Sequence, residues 1–202
     1  MHQYKGKLII HTGSMFSGKT SSLEKDVKRF RIAGYRTLAF KPSVDTRYAS
    51  SEIVTHDDTT LEAVLVEDIS EILRQCSLNK PEVVAIDEIQ FLGGGLEEII
   101  KGINSLLSES ITVIAAGLDI DFAGLPFEIV KELMPIADYL TKHHAVCVKC
   151  GTDAWVSHRK TKDRERVVIG ASREYEPLCR SCYLEEKKLE DAIVNKNQVT
   201  FI

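Results

Sequence analysis

The chain has 202 residues, of which 44% are hydrophobic and 28% charged, and its formal net charge is −4. This is an ordinary composition for a globular protein, and the acidic balance argues against a nucleic-acid partner, which normally requires a basic face. No apolar run approaches the roughly 20 residues that cross a bilayer, and no signal-peptide pattern is present, so we expect no membrane partner and a cytoplasmic location.

The first informative segment lies near the start of the chain. Apolar residues 8–10 predict a buried strand, and Leu23, Val27 and Phe30 recur at helical spacing behind it. Residues 13–20 between them match the phosphate-loop pattern G-x-x-x-x-G-K-[S/T], in which backbone N–H groups and a helix N-terminus bind a polyphosphate. The residues predicted to bind ATP here are Gly13, Ser14, Met15, Phe16, Ser17, Gly18, Lys19 and Thr20.

A second motif follows the apolar run 83–86, which predicts another buried strand and ends in Asp87-Glu88. An acid in this position of phosphate-loop proteins holds the Mg²⁺ that the loop hydroxyl also contacts, so we predict a magnesium site at Asp87 and Thr20. Three roles stay open for Glu88: it could orient a water for hydrolysis, accept a proton from a substrate hydroxyl, or be a solvated acid in a turn.

Apolar periodicity alternates along the first two thirds of the chain. Such alternation predicts an α/β fold of the P-loop NTPase type, with a mostly parallel sheet and helices on both faces. The predicted strands are 7–12, 36–40, 82–87 and 111–116, and the predicted helices lie near 18–33, 67–78 and 95–107.

Four of the five cysteines form two C-x-x-C pairs separated by 28 residues. Two such pairs make a tetrahedral, structural Zn²⁺ site with no open position. A disulfide is not expected in a cytosolic protein, and a redox C-x-x-C has no need of duplication. The predicted zinc ligands are Cys147, Cys150, Cys179 and Cys182.

We therefore predict a three-part organisation. Residues 1–146 form the P-loop α/β nucleotide-binding domain, and residues 147–184 form a small zinc-stapled, hairpin-like domain, here called the lasso. Residues 185–202 form a polar C-terminal helix and tail, with the helix spanning about 180–194.

These motifs together carry a family resemblance. The phosphate loop, Asp87-Glu88-Ile89-Gln90-Phe91, Gly117-Leu118-Asp119 and the two cysteine pairs occur in order, with Tyr175 four residues before the second pair. From about residue 7 to 184 the chain resembles the zinc-containing thymidine kinases of many bacteria and of the animal cytosol. The resemblance implies transfer of the ATP γ-phosphoryl group to the 5′-hydroxyl of deoxythymidine, giving dTMP for pyrimidine salvage.

The resemblance also implies roles for individual residues. Glu88 would be the catalytic base, and Phe122 would lie against thymine with Tyr175 closing on the nucleoside, although Phe122 could be a core aromatic and Tyr175 a packing residue. Further nucleotide contacts would come from Asp45, Thr46, Arg47, Asp87, Ile89 and Gln90. Main-chain groups of the lasso that bind the base would belong to Arg166, Val167, Val168, Ile169 and Gly170. The family further implies a homotetramer and feedback inhibition by dTTP.

Two segments depart from the family pattern. Residues 123–125 are apolar where many relatives carry charge, so a contribution of this lid to phosphate binding is in doubt. Residues 158–166 are strongly charged, and we expect a solvated loop tip there, with contact to a neighbouring subunit or to phosphate as the alternative. The competing function is a nucleic-acid-linked P-loop ATPase with a zinc ribbon.

Overall fold

The computed structural model describes residues 4–43, 52–54, 60–160 and 174–199. Short 3₁₀ helices span Ile89–Phe91 and Met134–Ile136. The helices are α1 (Lys19–Ile32), α2 (Ile69–Asn79), α3 (Leu96–Ser108), α4 (Glu128–Leu133) and α5 (Arg180–Val199). The strands are β1 (Leu8–Gly13), β2 (Thr37–Pro42), β3 (Glu52–Val54), β4 (Thr60–Glu62), β5 (Val64–Val66), β6 (Val83–Ile86), β7 (Thr112–Gly117), β8 (Tyr139–His143), β9 (Val156–Arg159) and β10 (Tyr175–Leu178).

Six of these strands form one parallel sheet in the order β5-β2-β6-β7-β1-β8. The predicted α/β class with a parallel sheet is therefore confirmed. In this register Thr12 of β1 lies beside Gly117 of β7, and Ile86 of β6 lies beside Ala115. The carboxyl ends of three central strands thus meet at one edge of the sheet, where ligands bind in open α/β folds.

Helices cover both faces of the sheet because each helix buries an apolar stripe against apolar residues of the strands. On one face Leu23, Val27 and Phe30 of α1 pack in a core with sheet residues such as Ala85. On the other face α2, α3 and α4 contribute to a larger core, which includes Ile103. Burial of these stripes is what fixes the helices, since isolated helices of this length are marginal in water. In the described ranges, no helix is long and apolar enough to span a membrane.

A third and smaller core includes cysteines of both pairs. Strands β9 and β10 form an antiparallel hairpin, and Val156 and Leu178 of this hairpin are buried in one core with Ala145 and Tyr183. The predicted domain boundaries at residues 147 and 184 stay predictions. The sequence did not predict β5, β8, α4 or the β3–β4 hairpin, and α5 extends to Val199, beyond the predicted end near 194.

Candidate active site

The phosphate loop joins β1 to α1 at the carboxyl edge of the sheet. Gly13 ends β1 with a φ of 135°, and it lies so close to β8 that an added Cβ would collide with the carbonyl oxygen of His143. Only glycine fits there. Helix α1 begins at Lys19, directly after Gly18, so its unpaired N-terminal N–H groups border the loop. Strand, loop and helix therefore form the arrangement that binds phosphate groups.

Lys19 is buried at the end of this loop, with 7% of its surface exposed. Its Nζ donates a hydrogen bond of 2.9 Å to the carbonyl oxygen of Ser14. Burial lowers the pKa of Lys19, an effect that the carboxylates of Glu88 and Asp87 oppose. A buried cation is costly unless it is paired. A polyphosphate in the loop would supply that pairing.

Asp87 follows β6 and faces the first turn of α1. The hydroxyl of Thr20 lies 3.3 Å from both carboxylate oxygens of Asp87. Burial and the neighbouring charge of Glu88 raise the pKa of Asp87 to about 7. A divalent cation here would relieve both effects, and carboxylate plus hydroxyl oxygens are ligands that Mg²⁺ prefers. The residues present fit that ion.

Two loop serines also indicate a ligand. The hydroxyl oxygens of Ser14 and Ser17 are buried and have no hydrogen-bond partner among the residues that the structure describes. Buried polar atoms are normally satisfied, and exceptions need an explanation. The phosphate oxygens of a nucleotide would accept hydrogen bonds from both hydroxyls.

Glu88 is held in an unusual backbone conformation with a φ of 51°. Such strain in a residue other than glycine is found mainly at functional sites. The amide nitrogen of Gln90 donates to the Glu88 carboxylate, and the amide oxygen of Gln90 accepts a 3.0 Å hydrogen bond from the backbone N–H of Leu118. Gln90 thereby ties Glu88 to the end of β7. Ile89 between them is buried in the core, so its side chain is not available to a ligand.

Phe122 and Tyr175 come together around an arginine. The guanidinium carbon of Arg159 lies 3.8 Å from the centre of the Phe122 ring, and its Nη2 donates a 2.8 Å hydrogen bond to the Tyr175 hydroxyl. The expectation that residues 158–166 are solvated is wrong for the first two positions, because His158 and Arg159 are buried in β9. All four residues of β9 are buried, so no alternation of apolar and polar residues marks this strand in the sequence.

The unit that carries the four paired cysteines (residues 147–160 and 174–184, here called the zinc unit) touches the phosphate loop directly. The backbone N–H of Met15 donates a 2.8 Å hydrogen bond to the Ser157 hydroxyl of β9, a contact that the sequence did not indicate. The residues predicted to bind the donor phosphates and the base edge, namely Asp45, Thr46, Arg47, Arg166, Val167, Val168, Ile169 and Gly170, lie outside the described residues.

Behind the loop lies a polar chain that sequence reasoning also missed. Nδ1 of His11 lies 3.1 Å from Nε2 of His143, and Nε2 of His11 lies 3.1 Å from a carboxylate oxygen of Asp26. The hydrogen bond from His11 lowers the pKa of Asp26, whereas burial lowers the pKa of His143. The chain connects β8, β1 and α1, which are the elements that flank the phosphate loop.

Four of the five free cysteines lie in one cluster. The sulfur atoms of Cys147, Cys150, Cys179 and Cys182 lie within 4.8 Å of one another, and Cys150 and Cys179 are 3.6 Å apart. A tetrahedral zinc with Zn–S distances of about 2.3 Å requires separations of roughly 3.8 Å. The four thiols therefore fit a structural zinc ion, and the predicted zinc-binding character is supported.

Comparison with known proteins decides the family. A family model described as "Thymidine kinase" matches residues 6–183. The chain belongs to the thymidine kinase family. It is 43% identical to a thymidine kinase of Bacteroides thetaiotaomicron over 91% of this chain and 89% of that protein. It is 42% identical to one of Bacteroides fragilis over 89% and 87%, and 40% identical to one of Porphyromonas gingivalis over 89% and 85%.

Membership of the thymidine kinase family confirms three predictions. The resemblance, the enzyme class and the phosphorylation of thymidine all agree with the family match. A kinase of this family uses ATP and Mg²⁺, which the phosphate loop and the Thr20–Asp87 pair fit. The alternative of a nucleic-acid-linked ATPase is not favoured.

Proposed function

We propose that the chain transfers the γ-phosphoryl group of ATP to the 5′-hydroxyl of deoxythymidine, giving dTMP and ADP. One observation carries this proposal: the side chain of Glu88 is fixed by Gln90 at the junction of two groups of residues. On one side lie Lys19 and Asp87 of the phosphate-binding group. On the other side Leu118 begins the segment that carries Phe122. A nucleoside bound at that segment would present its 5′-hydroxyl to Glu88, on the side of the γ-phosphate.

The proposed mechanism rests on positioning and charge. Residues 13–20 hold the triphosphate, and Lys19 neutralises charge on its terminal phosphates throughout a loose transition state. Glu88 accepts the proton of the 5′-hydroxyl while the new O–P bond forms, and the bridging oxygen leaves with ADP. Mg²⁺, which Thr20 and Asp87 would hold, adds charge neutralisation when bound. Burial around Asp87 strengthens each of these electrostatic contacts.

The nucleoside side of the proposal depends on aromatic contact. Phe122 stacks on thymine, Tyr175 closes on the nucleoside, and main-chain groups of residues 166–170 hydrogen-bond the base. An aromatic face with a few polar groups suits a neutral planar base and needs no basic patch. The contacts of residues 45–47 to the donor phosphates complete the proposed site.

The test is a turnover assay with matched variants. ADP release should require deoxythymidine and should not respond to added DNA or RNA. Glu88→Gln should lower kcat by roughly 10²–10⁴-fold while ATP binding survives. Glu97→Gln, at an exposed position of α3, is the control and should behave as wild type. Stimulation by nucleic acid without deoxythymidine, or near-normal turnover in folded Glu88→Gln, would contradict the proposal.

We also propose a homotetramer and feedback inhibition by dTTP, as the family resemblance implies, and a cytoplasmic location. What supports self-association is that β8 forms an edge of the described sheet and exposes Tyr139 and Leu140 by 46% and 45%. Unpaired strand edges are sites of association. Light scattering after gel filtration tests the assembly, and titration of the turnover assay with dTTP tests the inhibition.

A further inference from the structure

Arg159 is a buried cation in the aromatic part of the site, with 3% of its surface exposed. Arginine is rarely buried to this extent unless it is paired. Its guanidinium covers the Phe122 ring at 3.8 Å and donates a 2.8 Å hydrogen bond to the Tyr175 hydroxyl. One planar group therefore makes a stacking contact and a directed hydrogen bond at the same time.

These two contacts join segments that are anchored separately. Arg159 and Tyr175 face each other across the β9–β10 ladder, so the hairpin fixes their relative position. Phe122 belongs to the loop between β7 and α4, in which one carboxylate oxygen of Asp121 accepts hydrogen bonds from the backbone of Ala123 and Leu125. Arg159 is thus a bridge between this loop and the zinc unit.

A second contact keeps the same two segments together. Gly124 of the loop lies so near Trp155 of the zinc unit that an added Cβ would be 2.9 Å from the indole Cη2. Trp155 is itself covered by the guanidinium of Arg180, also at 3.8 Å. The loop is therefore docked by Trp155 at one point and by Arg159 at the ring of Phe122.

We propose that Arg159 is a positioning residue for the nucleoside: it fixes the plane of Phe122 relative to the Tyr175 hydroxyl. This inference rests on the proposed function, in which Phe122 stacks on thymine. A guanidinium on one face of the ring leaves the opposite face for the base, and a ring held in advance loses less entropy on binding. Lysine cannot replace Arg159, because an ammonium group is not planar and lacks the forked N–H donors of a guanidinium.

The experiment compares Arg159→Gln and Arg159→Lys with wild type in steady-state assays, varying deoxythymidine and ATP separately. Both variants should raise the deoxythymidine KM about 10- to 100-fold and leave the ATP KM within about twofold. Tyr175→Phe should raise the deoxythymidine KM less. The double variant Arg159→Gln/Tyr175→Phe should be less impaired than the product of the two single effects, because both act through one contact.

Arg74→Gln is the control, since it removes a guanidinium from an exposed position of α2. It should leave the deoxythymidine KM unchanged. Zinc content and melting temperature are measured for every variant. A folded, zinc-loaded Arg159→Gln with normal KM overturns the inference, as does a lower KM, which would mean that Arg159 competes with the base for Phe122. Should Arg159→Gln not fold, Arg159→Lys and Tyr175→Phe decide by the same criterion.

A failure of the proposed function gives a different result. Wild-type protein would then show no turnover of deoxythymidine, whatever its zinc content. Wild-type turnover combined with unaffected Arg159 variants keeps the proposed function and refutes only the positioning role.

Discussion

Gly117→Ala is the substitution that most directly tests how Glu88 is positioned. Gly117 ends β7, and a Cβ added there would lie 2.6 Å from the amide oxygen of Gln90, 3.0 Å from Cγ2 of Ile89 and 3.3 Å from Cγ2 of Val130. The closest atom is the end of a flexible side chain. We therefore expect the amide of Gln90 to move away, and its hydrogen bonds to Glu88 and to the backbone of Leu118 to break.

The size of the effect follows from those contacts. The two lost hydrogen bonds cost about 0.5–1.5 kcal/mol each, so the free energy of unfolding should fall by about 1–3 kcal/mol before the crowding of Ile89 and Val130 is added. For a chain of this size that is roughly 2–4 °C in melting temperature per kcal/mol. The loss in turnover should be larger, because a misplacement of about 1 Å in a reacting group can cost about 10²-fold.

The assay is kcat at saturating ATP and deoxythymidine, corrected for the folded fraction. Gly102→Ala in α3 is the matched control, since its added Cβ would collide with the side chain of Ile69, in the core beneath α2. That variant should lose stability and keep its kcat. Gln90→Ala should reproduce the loss of Gly117→Ala. Folded Gly117→Ala with the kcat of Gly102→Ala would refute the view that Gln90 positions Glu88.

Four further outcomes are expected. Lys19→Ala should weaken both ATP binding and turnover, because its phosphate contact persists throughout the reaction; a change in kcat alone would contradict this. Protein purified without added metal should hold about one zinc per chain. Cys179→Ala should lower the zinc content and loosen the zinc unit before the main sheet melts. Fully active protein without zinc would contradict this prediction. Phe122→Ala should reduce kcat/KM for deoxythymidine roughly 5- to 150-fold, in line with about 1–3 kcal/mol for base stacking, and Phe122→Tyr should reduce it much less. An effect on the ATP kinetics alone would show that thymine does not bind at Phe122. Burial lowers the pKa of His143, so the unfolded chain binds a proton at this imidazole more readily than the folded chain, and the free energy of unfolding should fall as pH drops below 6.5. Denaturant titrations at pH 7 and 5.5 should show a smaller difference in His143→Gln than in wild type. An equal difference in both proteins would be evidence against the lowered pKa.

Prediction from sequence succeeded where a side-chain pattern has one structural meaning. The phosphate loop and the apolar stripes of α1, α2 and α3 predicted elements whose ends lie within about two residues of those observed. The predictions missed β8 because four of its five residues are exposed, and an edge strand needs no apolar run. They missed β5 because three residues give no period.

In the site, too, some contacts follow from a sequence motif and others do not. Asp87 and Thr20 were paired from motif alone, since every phosphate loop brings a neighbouring strand to the same edge. Arg159 was assigned to solvent because it begins a run of charges, yet in β9 it points into the aromatic group. Its burial depends on Phe122, which is 37 residues earlier in the chain. A contact of that kind has no local signature, so only the fold can reveal it.

The same reasoning explains why Asp-Glu after a strand could not by itself separate a kinase from an ATPase. Either enzyme needs a carboxylate near the γ-phosphate, and the difference lies in what is brought to that carboxylate: a water or a substrate hydroxyl. In this chain Gln90 ties Glu88 to Leu118, and the segment that follows carries Phe122, whose ring is covered by Arg159. A hydrolase needs only a water at its carboxylate, whereas a nucleoside kinase must also bind the nucleobase to bring the substrate hydroxyl to that carboxylate, and an aromatic ring suits this task. The connection from Glu88 to Phe122, and not the acidic pair itself, is therefore the structural feature that favours phosphoryl transfer to a nucleoside.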